Sequence, residues 1–153
     1  MSKSASKNME TIPFKLSKEH YIADVCIVWC TDDRCKPVLK KLIETRGYKK
    51  IDRVIVPGGA KALACPDSEE GRVDLRRIVA LKNIHHWKTI ILMIHSDCGA
   101  CGGLKSFEND CQKERDAQEK DLEEARIVLR EKIGNGVKIE CVFVDFDGIN
   151  FLR

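Results

Sequence analysis

His95-Ser96-Asp97-Cys98 sets an imidazole and a thiol three residues apart, at the end of the apolar run that begins at Thr89. Neutral imidazole and thiolate are donors that suit zinc, and both can turn from a strand end toward one ion. Two donors alone do not hold a metal. Cys30 closes a second apolar run, Ala23 to Trp29, and is the natural third. Two sulfurs and one nitrogen leave a corner of a tetrahedral zinc open, the arrangement of a catalytic rather than a structural site. Singly, Cys30, His95 and Cys98 read as ordinary core residues; their placement at adjoining strand ends is what points to a metal.

Asp32 and Arg34 stand two and four residues beyond Cys30. A carboxylate there can coordinate the ion or accept a hydrogen bond from its bound water. Arginine can grip that carboxylate through two parallel N–H donors and fix its orientation. Asp33 reads as the N-cap of the helix that follows.

The remaining thiols leave a choice open. Cys101 forms a Cys-x-x-Cys with Cys98, and Cys35 a Cys-x4-Cys with Cys30. Four thiols at one locus also suit an iron–sulfur cluster or a closed four-thiolate zinc, which would leave His95 and Asp32 without a role. Cys26, Cys65, Cys111 and Cys141 read as core or incidental residues. Eight cysteines in 153 residues fall below the share, about 8–10%, that marks a disulfide scaffold. The first eleven residues are polar and lack a signal-type apolar stretch, so the reading is a reduced, cytoplasmic protein. No apolar run is long enough to span a bilayer. Twenty-seven basic against 24 acidic residues give +3, which offers no basic stripe for nucleic acid.

The elements that must carry these groups follow from pattern. Ala23–Trp29, Ile51–Val56, Thr89–His95 and Val137–Phe146 read as strands. A helix follows the first, with Pro37 in its first turn and Gly47 as its C-terminal cap. A second runs from about Val73 to His85 or His86, after a polar, irregular loop over 60–71. A third covers Gln112 to Ile133, with Leu122, Ala125, Leu129 and Ile133 on one stripe. Strands alternating with helices predict a single α/β domain over 12–153, a central, mainly parallel four-stranded sheet flanked by helices, behind a flexible tail at 1–11. In such sheets ligands bind beyond the carboxyl ends of the strands. Glycines at 58 and 59 end the second strand without the lysine–hydroxyl pair of a phosphate loop, so they read as a tight turn.

Cys30-x-Asp32-x-Arg34 followed by His95-x-x-Cys98-Gly99 resembles the paired signature of β-class carbonic anhydrases. The likeness covers about Asp24 to Gly103, including the Pro57-Gly58-Gly59-Ala60 loop, and is nearest to the short carbonic anhydrase-like members. It implies Cys30, His95 and Cys98 as ligands of one Zn2+ per chain, and Asp32 with Arg34 as a catalytic dyad. It places Gly58, Gly59, Ala60 and Gly99 around the substrate pocket. The implied activity is reversible hydration of carbon dioxide to bicarbonate by a zinc-bound hydroxide. The same site could instead hydrolyse carbonyl sulfide or carbon disulfide, or serve a non-catalytic zinc or thiol-based redox module. The resemblance also implies a site completed in a homodimer, and so small a sheet is expected to leave an apolar face for the partner.

Overall fold

A computed structural model describes residues 10–153. The tail expected over 1–11 therefore lies almost wholly outside the described residues. Strands β1 (Val25–Cys30), β2 (Ile51–Val56), β3 (Thr89–His95), β4 (Lys138–Val144) and β5 (Ile149–Phe151) form one sheet in the order β2-β1-β3-β4-β5. The first four strands run parallel. The short fifth pairs antiparallel with β4, so the sheet has one strand more than the sequence pattern predicts. Asp145 explains the return: its carboxylate accepts from the N–H groups of Asp147 and Gly148 and folds the chain into a tight turn. Three residues are too few to show a strand period.

Helices α1 (Lys36–Arg46), α2 (Glu69–His85) and α3 (Cys111–Ile133) occupy the crossovers. Gly47 caps α1 in the left-handed conformation, φ 69°, as its position predicts. The irregular loop expected over 60–71 is helical at both ends. A 3-10 helix, Gly59–Ala64, buries Leu63, and α2 begins at Glu69 with Ser68 Oγ accepting from the Gly71 N–H.

Both faces of the sheet are buried within the chain. Cys26, Val28, Ile90, Leu92 and Ile94 pack with Leu75 and Ile78 of α2 and Leu122, Ala125 and Leu129 of α3. Val25, Ile27, Trp29, Ile91 and Met93 pack with Leu42 of α1. Full burial of each such side chain contributes about 1.5–3 kcal/mol of transfer free energy. Among the described residues β1 and β3 therefore show no bare apolar face, while β2 at the sheet edge leaves Arg53 and Ile55 exposed. Before β1, Ile12, Phe14, Leu16 and Ile22 are open to solvent on a segment without regular structure; Ile55, Ile84, Ile127, Phe146 and Phe151 are further exposed apolar residues, scattered over the rest of the chain. Tyr21 anchors that segment: its hydroxyl donates to buried Asp52 at 2.9 Å, its ring stacks on His85 at 4.1 Å, and His85 Nδ1 bonds the same carboxylate.

The strand order fixes where a ligand can sit. From β1 the chain passes to β2 on one side, then crosses to β3 on the other, so the carboxyl ends of neighbouring β1 and β3 open onto a switch point. Gly59 seals the floor beneath it. Its φ is +58°, and a Cβ there would fall 2.2 Å from the Met93 carbonyl oxygen. Gly59→Ala is expected to destabilise the protein by about 1–3 kcal/mol, through strain and overlap together, read as a lowered midpoint in urea unfolding. An unchanged midpoint would show that the floor yields.

Candidate metal centre

Cys30 is the last residue of β1 and His95 the last of β3; Cys98 follows in the turn after β3. Their donor atoms all lie within 4.8 Å of one another, and the residues are 5%, 3% and 1% exposed. Among the described residues this is the one group of three or more His, Cys, Asp or Glu side chains close enough to share an ion. Cys35 and Cys101 are not members, so neither a four-thiolate site nor a cluster cage is preformed.

His95 supplies the decisive detail. Nδ1 lies 2.9 Å from the Ser96 carbonyl oxygen, to which it donates, leaving Nε2 buried and without any partner. A buried polar atom left unpaired costs about 1–3 kcal/mol, so the position calls for an occupant. Facing it, Cys30 Sγ and Cys98 Sγ stand 3.9 Å apart. Hydrogen bonding to Cys98, followed by burial, pushes the Cys30 thiol up to about 11. One nitrogen and two sulfurs, dry and mutually close, fit the donor set of zinc.

Asp32 stands at the rim. Arg34 binds it with Nε at 3.0 and 3.1 Å and a terminal nitrogen at 2.7 Å. That guanidinium holds the Asp32 carboxyl down at about 2. Oδ2 comes within 3.9 Å of His95 Nε2, yet Asp32 does not join the close ligand group. Asp32 also caps the 3-10 turn Asp33–Cys35 by accepting from the Arg34 N–H at 2.9 Å, whereas α1 starts behind Cys35 without a side-chain cap, so Asp33 lies inside the turn and does not cap the helix as expected. Trp29 pins the same turn by donating from Nε1 to the Cys35 carbonyl. Arg34 reaches across to the Asp97 carbonyl oxygen at 2.9 Å and so ties the loop after β1 to the loop after β3.

The floor and the pocket separate. Gly59 and Ala60 are buried, and the Gly58 backbone lies against Ala100 and Cys101. The cavity that reaches His95, about 180 Å³, is walled by Arg34, Cys35, Val38, Val144 and Phe146, and none of Gly58, Gly59, Ala60 or Gly99 lines it. A larger groove along α2, lined by Pro66, Leu75 and Val79 among others, touches no residue of the site.

Glu114 is the residue that the sequence pattern does not single out. It is fully buried on α3 and accepts from Ser96 Oγ at 2.6 Å, from the Asp97 N–H at 2.7 Å and from Gln118 Nε2 at 3.3 Å. Ser96 in turn fixes the His95 ring, so Glu114 orients a candidate ligand through one intermediate. The signal was available: Glu114 and Gln118 continue the stripe of Leu122, Ala125 and Leu129 at helical spacing, as polar residues on a buried face.

No protein-family model matches the chain. An uncharacterized protein of Rickettsia bellii is 28% identical over 146 residues, covering 90% of this chain and 88% of its own length. One of Rickettsia conorii is 27% identical over 150 residues, covering 93% and 80%. Among solved structures, a β-carbonic anhydrase of Trichomonas vaginalis superposes with a TM-score of 0.59 at 15% identity, covering 92% of this chain and 87% of that one. The carbonic anhydrase of Streptococcus mutans gives 0.57 at 19%, covering 88% and 84%. That of Glaciozyma antarctica gives 0.57 at 15%, covering 87% and 84%. The chain has the β-carbonic anhydrase fold.

Replacing Glu114 with alanine strands the Ser96 and Asp97 donors in the interior. Glu114→Ala is expected to weaken zinc binding about 10–100-fold, measured by competition with a chromogenic chelator. Equal affinities would show that His95 is held without it.

Proposed function

We propose that the protein is a zinc-dependent carbonic anhydrase that interconverts carbon dioxide and bicarbonate. The observation that carries this reading is the buried, unpartnered Nε2 of His95 facing two thiols, with an arginine-held carboxylate at the rim. Cys30, His95 and Cys98 would hold one ion per chain. Bound there, zinc supplies a Lewis acid that brings the pKa of a water ligand toward neutrality.

The chain's own groups supply the rest. Asp32, fixed by Arg34, accepts a hydrogen bond from the attacking oxygen and aims its lone pair. A carboxyl titrating near 2 does not keep the proton it helps to steer, so the proton leaves to solvent. Arg34 occupies both Asp32 oxygens and holds the carboxylate in its rim position. Val38, Val144 and Phe146 offer an apolar wall to a small uncharged gas molecule.

The same reading takes the protein as a cytoplasmic homodimer. Eight cysteines, none of them in a disulfide, suit a reducing compartment. A partner copy would cover Ile12, Phe14 and Leu16, each more than 80% exposed. Changing all three to serine is expected to shift sedimentation from dimer to monomer.

Asp32→Asn keeps the shape and removes the charge. It is expected to retain zinc and to lose about 100-fold in kcat for carbon dioxide hydration, followed by stopped flow with an indicator dye. Because two thiolates donate more charge than imidazoles, the wild-type rate should rise from neutral to alkaline pH. Asp32 does not cause that rise, since it is ionised throughout. A variant as fast as wild type, or a flat profile with chemistry limiting, overturns the proposal.

A further inference from the structure

We propose that Cys101 is an oxidant-sensing thiol that withdraws Cys98 from the metal by forming a Cys98–Cys101 disulfide, so that peroxide empties the site reversibly. The inference rests on Cys98 being a zinc ligand.

Three observations meet at this turn. First, the Cys101 N–H donates to the Cys98 carbonyl at 2.9 Å and closes the 3-10 turn Gly99–Cys101. A turn closed in this way keeps its first and fourth Cα atoms within about 7 Å, overlapping the roughly 4.4–6.8 Å that a disulfide spans. Second, accessibility is graded. Cys98 and Cys30 are almost fully enclosed, Cys35 is buried, and Cys101 is partly exposed, so a dissolved oxidant meets Cys101 first. Third, the turn can close. A Cβ at Gly99 would touch nothing within 4 Å, and Gly102 and Gly103 carry the chain away with positive φ.

Cys30 is the competing partner, with its sulfur 3.9 Å from that of Cys98. It is the last residue of a central strand, however, and Cys30 and Cys98 are both almost fully enclosed while Cys101 is partly exposed. The Cys101 sulfur lies against the Gly58 backbone, near Lys61, whose ammonium is held by Asp121 at 2.7 Å.

The chemistry balances with hydrogen peroxide as oxidant. The Cys101 thiolate attacks one peroxide oxygen, the O–O bond breaks, and Cys101 becomes a sulfenic acid as one water leaves. Cys98 sulfur then attacks the sulfenic sulfur and expels hydroxide, which takes a proton to give the second water. Two thiols lose two electrons to one peroxide, and the ion loses one of its sulfur donors. A dithiol reductant restores both thiols.

The test uses the zinc-loaded full chain. Zinc content is measured first. Peroxide is then added, zinc release is followed with a chromogenic chelator, and disulfides are mapped by mass spectrometry of alkylated peptides. Wild type is expected to release zinc with a Cys98–Cys101 linkage and to rebind it after dithiothreitol. Cys101→Ser is expected to bind zinc and hydrate carbon dioxide as wild type does, while releasing zinc at least about tenfold more slowly under peroxide. Cys65→Ser and Cys111→Ser, which alter exposed thiols away from the site, are expected to release it at the wild-type rate. Equal release from wild type and Cys101→Ser, or a Cys30–Cys98 linkage as the main product, overturns the switch alone. A chain that binds no zinc before oxidation overturns the metal reading, and the switch falls with it.

Discussion

Two sulfurs 3.9 Å apart and an imidazole nitrogen without a partner, all closed off from water, form a grouping that a folded chain does not keep without cause. The Cys98 sulfur and burial raise the Cys30 thiol above its ordinary value, and the nitrogen forgoes a hydrogen bond that solvent would have given it. Most other features around the two strand ends follow from having to hold that trio in place. Neighbouring β1 and β3 bring Cys30 and His95 to one edge because the two strands run parallel, side by side, and both end there. Gly59 is bare because a side chain would collide with the β3 backbone just before His95.

Polar struts then fix what the strands deliver. Ser96 accepts from the His95 ring, and buried Glu114 holds Ser96 and the Asp97 N–H, so a ligand is oriented from the middle of the core outward. On the other side Arg34 spans Asp32 and the Asp97 backbone, joining the loops that carry Cys30 and Cys98. An ion seated between these loops would meet donors that are already in position, so its binding would cost little reorganisation.

The parallel core was legible because its central strands β1 and β3 are almost unbroken apolar runs and α1 has a clear stop at Gly47. What escaped was small or doubled in role. Strand β5 is three residues long and exists because Asp145 makes a turn, a tertiary fact with no period. The 60–71 segment looked irregular because short 3-10 and cap geometry leaves no repeating stripe. The ligand trio was readable from residue type at strand ends. Glu114 was not singled out, although its place on the stripe of Leu122 and Leu129 marked it, because charged residues there pass easily for a wet helix face. The cavity walls come from Val38 of α1 on one side and Val144 with Phe146 at the end of β4 on the other, distant stretches of chain that only packing brings together.

Asp32 carries two duties that a sequence reading tends to split between neighbours. One carboxylate caps the turn that leads into α1 and meets Arg34 at the rim of the site, so the local fold and the local charge are set by the same atoms. With the proposed ion in place, two thiolates cancel its charge and Arg34 cancels Asp32. The site is then neutral before any reactant enters. On the proposed reading a singly charged product would find no surplus positive charge to hold it, and Asp97, paired with Arg34 at 3.4 Å, adds a further negative group beside the rim. Such a balance favours release of bicarbonate over its retention, which a reversible hydration needs as much as it needs a nucleophile.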